Sequence, residues 1–162
     1  MEIPKKEECL KILKDTNLPE NIVEHLRAVC DFSMKVVDIV EDRGIKINRE
    51  LVAAAALLHD VKKLSPDHEI TGADYISSLG YPQVAQVIRK HGLSNLNKED
   101  CIPRTWEEKI VFYSDKRLKG SKIVSVDERF EDIRKRYKRD IIDHEYKLTE
   151  EIEKELLLTK QI

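Results

Sequence analysis

Apolar residues recur at helical spacing along almost the whole chain, and most places where the spacing stops carry a glycine or a proline. We predict a short amphipathic helix over residues 5–15 and a longer one from Pro19, which suits a first helical turn, to about Arg43. Asn48 is a suitable N-cap for a third helix, which contains the unbroken apolar run at 51–58. The first third of the chain therefore predicts three helices.

The rest of the chain continues this pattern. Further helical segments are predicted at residues 69–79, 82–91, 105–118 and, as one or two helices, 126–158. Thr105 with Glu108, and Ser125 with Glu128, have the spacing of a capping box at a helix start, whereas 93–104 has the composition of a polar loop. No two-residue hairpin pattern and no alternating strand stands out, so the predicted fold class is all-α.

Length, charge and cysteine content narrow the class of protein. With 162 residues the chain is long enough to bury a core, and we predict a single domain over 1–162. It has 29 Lys and Arg against 31 Asp and Glu, a net charge of −2, which gives no support for nucleic-acid or membrane partners. The N-terminus lacks the apolar stretch of a signal peptide, and no segment reaches the length of a membrane span. Cys9, Cys30 and Cys101 are far apart and are expected to be reduced thiols of a cytoplasmic protein.

His59 and Asp60 follow directly on the apolar run at 51–58, where the predicted helix is most buried. A carboxylate at a helix C-terminus faces the negative end of the helix dipole, and a buried, unpaired carboxylate is costly. A positive charge should therefore lie against Asp60. A metal ion is the simplest choice, and an ion pair with Lys62 or Lys63 is the alternative.

Four more side chains that can bind a metal lie on the apolar faces or at the ends of the predicted helices. His25 and Asp115 lie on apolar helix faces, His68 begins a helix, and His91 ends one. Each has an ordinary structural explanation: a core histidine bonded to backbone, a carboxylate paired with a neighbouring base, or an imidazole at a helix end. The order of all six positions along the chain is harder to explain in this way.

That order resembles the HD-domain superfamily of metal-dependent phosphohydrolases. The resemblance covers about residues 20–120, with 126–162 as a C-terminal helical extension, and implies an HD-type helical bundle. Its motifs are His25-Leu-Arg-Ala-Val29, Ala56-Leu-Leu-His-Asp-Val-Lys-Lys63 and Ile110-Val-Phe-Tyr-Ser-Asp-Lys116. The six-position pattern most resembles small bacterial symmetrical dinucleoside tetraphosphatases, although Val61-Lys62 replaces the residues that this subset often has after His-Asp.

The resemblance implies two divalent transition-metal ions, of Fe, Mn, Co, Ni or Zn. The first would be held by His25, His59, Asp60 and Asp115, and the second by Asp60, as a bridge, with His68 and His91. A hydroxide shared between the ions would attack the phosphorus of a nucleotide or another small phosphorylated metabolite, cleaving an ester or anhydride.

Phosphate binding in such a site calls for nearby cations. Lys63 and Lys116 closely follow the two aspartates and are the leading candidates, with Arg117 and Lys119 as weaker ones. The alternative for all four is a solvated surface position.

Two other functions use the same residues. The first is an HD-type di-iron oxygenase, and the second is a non-catalytic nucleotide-sensing domain. The lysine pattern favours phosphate chemistry, and a domain that only binds a nucleotide has no obvious need for six ligands.

The tail beyond residue 126 adds no further site. The basic cluster at 134–139 follows four acidic residues, a distribution typical of helix-dipole and i,i+4 pairing. His144 lies among charged residues and is left out of the metal site. Apolar positions such as Ile141 and Leu156 are expected to pack on the domain or on a second subunit of a homodimer.

Overall fold

The structure is a computed structural model that describes residues 2–137 and 142–162. The α-helices in these ranges are α1 Lys6–Asp15, α2 Glu20–Glu41, α3 Arg49–Leu58, α4 His68–Ser78, α5 Pro82–Arg89, α6 Trp106–Asp115, α7 Val126–Arg136 and α8 Ile142–Leu157. A 3-10 turn at Glu99–Cys101 lies in the predicted loop, and two short strands, β1 Leu118–Lys119 and β2 Lys122–Ile123, separate α6 from α7. The predicted all-α class is confirmed.

Helix α3 lies at the centre of the fold and packs against α1, α2, α5 and α6. Its alanines at 54–56 are buried and have small side chains, so the surrounding helices can approach it closely. Helix α2 presents the complementary apolar stripe, in which Leu26, Val29, Phe32 and Val36 recur at helical spacing and are all buried. The C-terminal end of α3, where His59 and Asp60 follow, is therefore inside the protein.

The predicted helix caps are present. The Asn48 side chain accepts a hydrogen bond from the Leu51 N–H at 3.1 Å, at the start of α3. At α6 the Thr105 hydroxyl accepts from the Glu108 N–H at 3.2 Å, and the Glu108 carboxylate accepts from the Thr105 N–H at 3.0 Å, which completes a capping box. These bonds fix where α3 and α6 begin.

The sequence shows no hairpin pattern, but the structure has a short hairpin between α6 and α7. Strands β1 and β2 pair antiparallel, and Gly120 and Ser121 form the two-residue loop between them. Gly120 has φ of +61°, in the left-handed region that glycine adopts without a side-chain clash. Each strand has only two residues, which is too few for an alternating pattern to show in the sequence.

The tail forms two helices, and α8 packs on α2 and α6 of the same chain. Its apolar face buries residues that include Ile142, Ile152 and Leu156. In the basic segment, Lys135 pairs with Glu131 and Arg136 with Asp132 at i,i+4 spacing, as predicted. Residues 138–141, with the end of that segment and Ile141, lie outside the described residues. A single domain over the whole chain and a homodimer both stay predictions.

Replacing Thr105 with alanine tests the contribution of the α6 capping box. We expect Thr105→Ala to lower the free energy of unfolding by about 1 kcal/mol, because the Glu108 N–H loses its acceptor. Urea unfolding followed by circular dichroism measures the change. Thr159→Ala, an exposed threonine beyond α8, is the control. Equal stability of the two variants would contradict the prediction.

Candidate metal centre

The fold brings the six predicted metal ligands together from five places in the chain. They are His25 in α2, His59 and Asp60 after α3, His68 at the start of α4, His91 after α5 and Asp115 at the end of α6. They form two sets that share Asp60. His25, His59, Asp60 and Asp115 make up the first set, and Asp60, His68 and His91 make up the second. Within each set the possible ligand atoms lie within 4.8 Å of one another.

Asp60 divides its two carboxylate oxygens between these sets. Oδ2 lies 3.5 Å from His59 Nε2 and 3.9 Å from His25 Nε2. Oδ1 lies 3.2 Å from His68 Nε2 and 3.3 Å from His91 Nε2. One buried carboxylate therefore faces both groups of imidazoles, which is the arrangement that a bridging ligand requires.

Backbone carbonyls orient three of the four imidazoles. His25 Nδ1 lies 2.7 Å from the Gly120 oxygen, and His59 Nδ1 lies 2.7 Å from the Ala56 oxygen. His91 Nδ1 lies 2.6 Å from the carbonyl oxygen three residues earlier in the chain. Since a carbonyl can only accept, Nδ1 carries the hydrogen in each ring. In the neutral rings the Nε2 lone pairs then face the carboxylates, as in metal-binding histidines.

In this arrangement the Nε2 lone pairs and the carboxylate oxygens, which are all hydrogen-bond acceptors, face one another. His59 Nε2 and Asp60 Oδ1 are buried, and neither has a hydrogen-bond partner among the described residues. Buried polar atoms without partners are costly, and a cation between the rings and the carboxylates would satisfy them. The described residues thus fit divalent ions, and a donor set of imidazoles and carboxylates suits transition metals.

The charges in the site favour ionised carboxylates. Burial alone raises the pKa of Asp60, but the His59 imidazole and the two rings facing Oδ1 hold that pKa well below its usual range. Burial likewise opposes ionisation of Asp115, whose pKa Lys116 and the neighbouring imidazoles hold well below its usual range. Both carboxylates are therefore negatively charged and ready to bind a cation near neutral pH.

The imidazoles differ in how readily they take up a proton. Burial lowers the pKa of His91, which favours the neutral ring that a metal needs. Burial has the same tendency at His25, but the hydrogen bond from His25 Nε2 to Asp115 Oδ1, at 3.0 Å, raises the pKa of that ring. A cation in the first set therefore competes with a proton for His25 Nε2.

The four predicted phosphate-binding cations occupy different environments. The Lys63 ammonium lies 3.4 Å from Asp60 Oδ2, and 44% of its side chain is exposed, so it stands at the rim of the site. The Lys116 side chain is only 3% exposed, and its ammonium is bonded to Asp115. Arg117 is buried and donates to Tyr113 and Val124, whereas Lys119 pairs with Asp132. Of the four, Lys63 is best placed to reach a phosphate.

Glu69 and Gly92 are part of the site although the sequence did not single them out. The Glu69 carboxylate is buried, and Oε2 lies 3.6 Å from His68 Nδ1, on the side of the ring away from Asp60. Gly92 leaves room for it, because a Cβ there would lie 2.0 Å from Glu69 Oε1. Each residue directly follows a predicted ligand in the chain, which is a weak signal. His144, left out of the site, is exposed and belongs to neither ligand set.

Comparison with known proteins agrees with this geometry. The HD domain family profile matches residues 22–120, a range that contains all six histidines and aspartates of the site. The chain therefore belongs to the HD domain family, whose members bind divalent metals and form a superfamily of metal-dependent phosphohydrolases. No solved structure matches the chain at a significant level.

The relatives with similar sequences differ in length and name. An uncharacterised protein of Methanocaldococcus jannaschii is 31% identical over 80% of this chain and 85% of its own length. A tRNA (cytidine(56)-2'-O)-methyltransferase of Picrophilus torridus is 30% identical over 76% of this chain. The methyltransferase of the same name from Thermoplasma volcanium is 26% identical over 90% of this chain. The chain spans only 39% and 46% of these two methyltransferases.

None of the helices in the described ranges combines the length and the apolar character that crossing a membrane requires.

The close contact between Glu69 and Gly92 can be tested with a double-mutant cycle. We expect Gly92→Ala to lower the free energy of unfolding by about 1–3 kcal/mol, because the added Cβ displaces the Glu69 carboxylate. In a Glu69→Ala background the clashing atoms are gone, so the same substitution should cost much less. Urea unfolding of the four proteins measures both effects. A cost of Gly92→Ala that does not depend on residue 69 would contradict the packing described.

Proposed function

We propose that this chain is a metal-dependent phosphohydrolase that cleaves a phosphate ester or anhydride of a nucleotide or a small phosphorylated metabolite. The observation that carries the proposal is the Asp60 carboxylate, which has one oxygen toward each of two histidine groups at 3.2–3.9 Å. Membership of the HD domain family supports the same class of reaction.

The residues of the site have distinct roles in this proposal. His25, His59 and Asp115 would hold one divalent ion, His68 and His91 would hold the other, and Asp60 would contribute to both sites. Bound ions of this kind supply an activated water and neutralise phosphate oxygens. The protein orients the rings through backbone carbonyls and keeps the ligand atoms buried.

Lys63 is the proposed phosphate-binding residue. Its ammonium is close to Asp60 and still partly exposed, so a phosphate entering from solvent can contact Lys63 and the metal ligands together. Although burial opposes its charge, the nearby carboxylates raise the pKa of Lys63, so the side chain is positively charged at neutral pH.

Among the proposed substrates, the names of two relatives favour a nucleotide or a ribose phosphate. Both are tRNA methyltransferases in which the region similar to this chain covers less than half of the length. We infer that this region is an HD module that can be joined to an RNA-modifying enzyme. Substrates for the assay should therefore include oligoribonucleotides with terminal or cyclic phosphates beside free nucleotides.

A substrate panel tests the proposal directly. Protein prepared without oxygen and loaded with Mn, Fe, Co, Ni or Zn is expected to release phosphate or a nucleoside phosphate from at least one nucleotide class. Asp60→Asn should reduce this release to background, since it removes the charge shared by the two ligand sets. His144→Ala is the matched control and should keep the activity, because that ring is exposed and outside both sets.

The same panel separates this function from two alternatives. Oxygen uptake coupled to substrate loss, without phosphate release, would replace it with a di-iron oxygenase. Nucleotide binding without turnover, in protein with an empty metal site, would replace it with a sensor domain.

Metal content gives a second and independent prediction. Elemental analysis of the wild type should find up to two divalent ions per chain. Asp60→Asn should lose both, because Asp60 faces both ligand sets, whereas His91→Ala should retain the ion of the first set. Loss of both ions in His91→Ala, with Asp60→Asn unaffected, would contradict the proposed sharing.

A further inference from the structure

Lys116 connects the two ligand sets from inside the protein. Its ammonium donates to Asp115 Oδ2 at 2.7 Å and to the backbone oxygen of His91 at 2.8 Å. Asp115 belongs to the first set and His91 to the second. The side chain is 3% exposed, and its ammonium lies 4.8 Å from the centre of the Phe112 ring, so a phosphate entering from solvent cannot easily reach it.

The bond from Lys116 leaves Asp115 with one oxygen for a metal. Oδ1 faces the first set, 3.0 Å from His25 Nε2 and 3.4 Å from His59 Nε2. Oδ2 is occupied by the lysine ammonium. This differs from Asp60, whose two oxygens face different ligand sets, and it explains why only one of the two carboxylates is placed to bridge.

The same ammonium fixes the backbone of His91. This residue follows the end of α5, where carbonyl oxygens lack helical partners and a positive charge is favourable. The ring of His91 is held through Nδ1 and its carbonyl oxygen through Lys116. A second contact beside it also holds this segment against α6, because the Lys90 ammonium donates to the Glu108 carboxylate at 2.8 Å.

We propose that Lys116 is a positioning residue that restricts Asp115 to one metal-facing oxygen and holds His91 in place for the second metal ion. This inference rests on the metal binding in the proposed function but not on any turnover. It replaces phosphate binding as the role of Lys116 and leaves that role to Lys63.

Comparison of the two lysines provides the test. Both ammonium groups lie close to a metal-binding carboxylate, at 2.7 Å for Lys116 and 3.4 Å for Lys63. Removing a positive charge beside a cation site reduces repulsion, so charge alone predicts that both methionine variants bind metal at least as tightly as the wild type. If Lys116 positions the ligands, Lys116→Met should instead bind metal more weakly than the wild type, whereas Lys63→Met should not.

The experiment is a calorimetric titration of Mn²⁺ into metal-free wild type, Lys116→Met and Lys63→Met, with elemental analysis of the products. We expect Lys116→Met to bind the second ion about 10–100-fold more weakly, as for other residues that orient metal ligands. Lys63→Met should bind both ions at least as tightly as the wild type. Lys116→Arg, which keeps a charged donor, should recover part of the loss.

Thermal unfolding of the metal-free proteins separates positioning from general stability. If Lys116→Met does not fold, Lys116→Ala carries the same comparison, because it also removes the charge and both donor contacts and leaves room for water to hydrate the freed oxygens. Wild-type or tighter binding of the second ion by either folded variant would overturn the proposal. Two tightly bound ions in a wild type that hydrolyses no phosphate would instead reject the proposed function and leave the role of Lys116 standing.

Discussion

The burial of the Asp60 carboxylate is the constraint on which the site depends. Helix α3 is surrounded by other helices, so His59 and Asp60, which follow its apolar run, are buried. An ionised carboxylate in that position needs positive charge or hydrogen-bond donors on both oxygens. Histidines from three other parts of the fold and the Lys63 ammonium surround it. The helix packing therefore buries a carboxylate that needs positive charge or hydrogen-bond donors, and the surrounding side chains are placed to supply them.

The secondary structure also prepares the imidazoles for binding. His59 and His91 each bond to a carbonyl three residues earlier, at the end of a helix where such oxygens lack the regular helical partner four residues later. His25 lies in the second turn of α2, away from the C-terminal end where carbonyls lack helical partners, and takes its partner from Gly120 of the hairpin. Helix ends and one tight turn thus fix the rings without additional side chains.

Much of the fold and the ligand set could be predicted, because their signals are local. Helical spacing, the Asn48 cap and the Thr105 capping box each involve a few neighbouring residues, and the order of histidines and aspartates matches a family pattern. The hairpin was missed because its strands are two residues long. The environment of Lys116 and the contact of Glu69 with Gly92 depend on helices that meet only in the folded chain.

The Gly120 hairpin connects the segment that leads into α7 with the first ligand set. Its second strand leads into Val124, which is bonded to Arg117 through both the backbone and the arginine side chain, and from there into α7. Its turn supplies the oxygen that orients His25. The peptide group of Gly120 therefore joins the hairpin that leads into α7 to one ligand ring, so the segment before α7 contributes directly to the geometry of the centre.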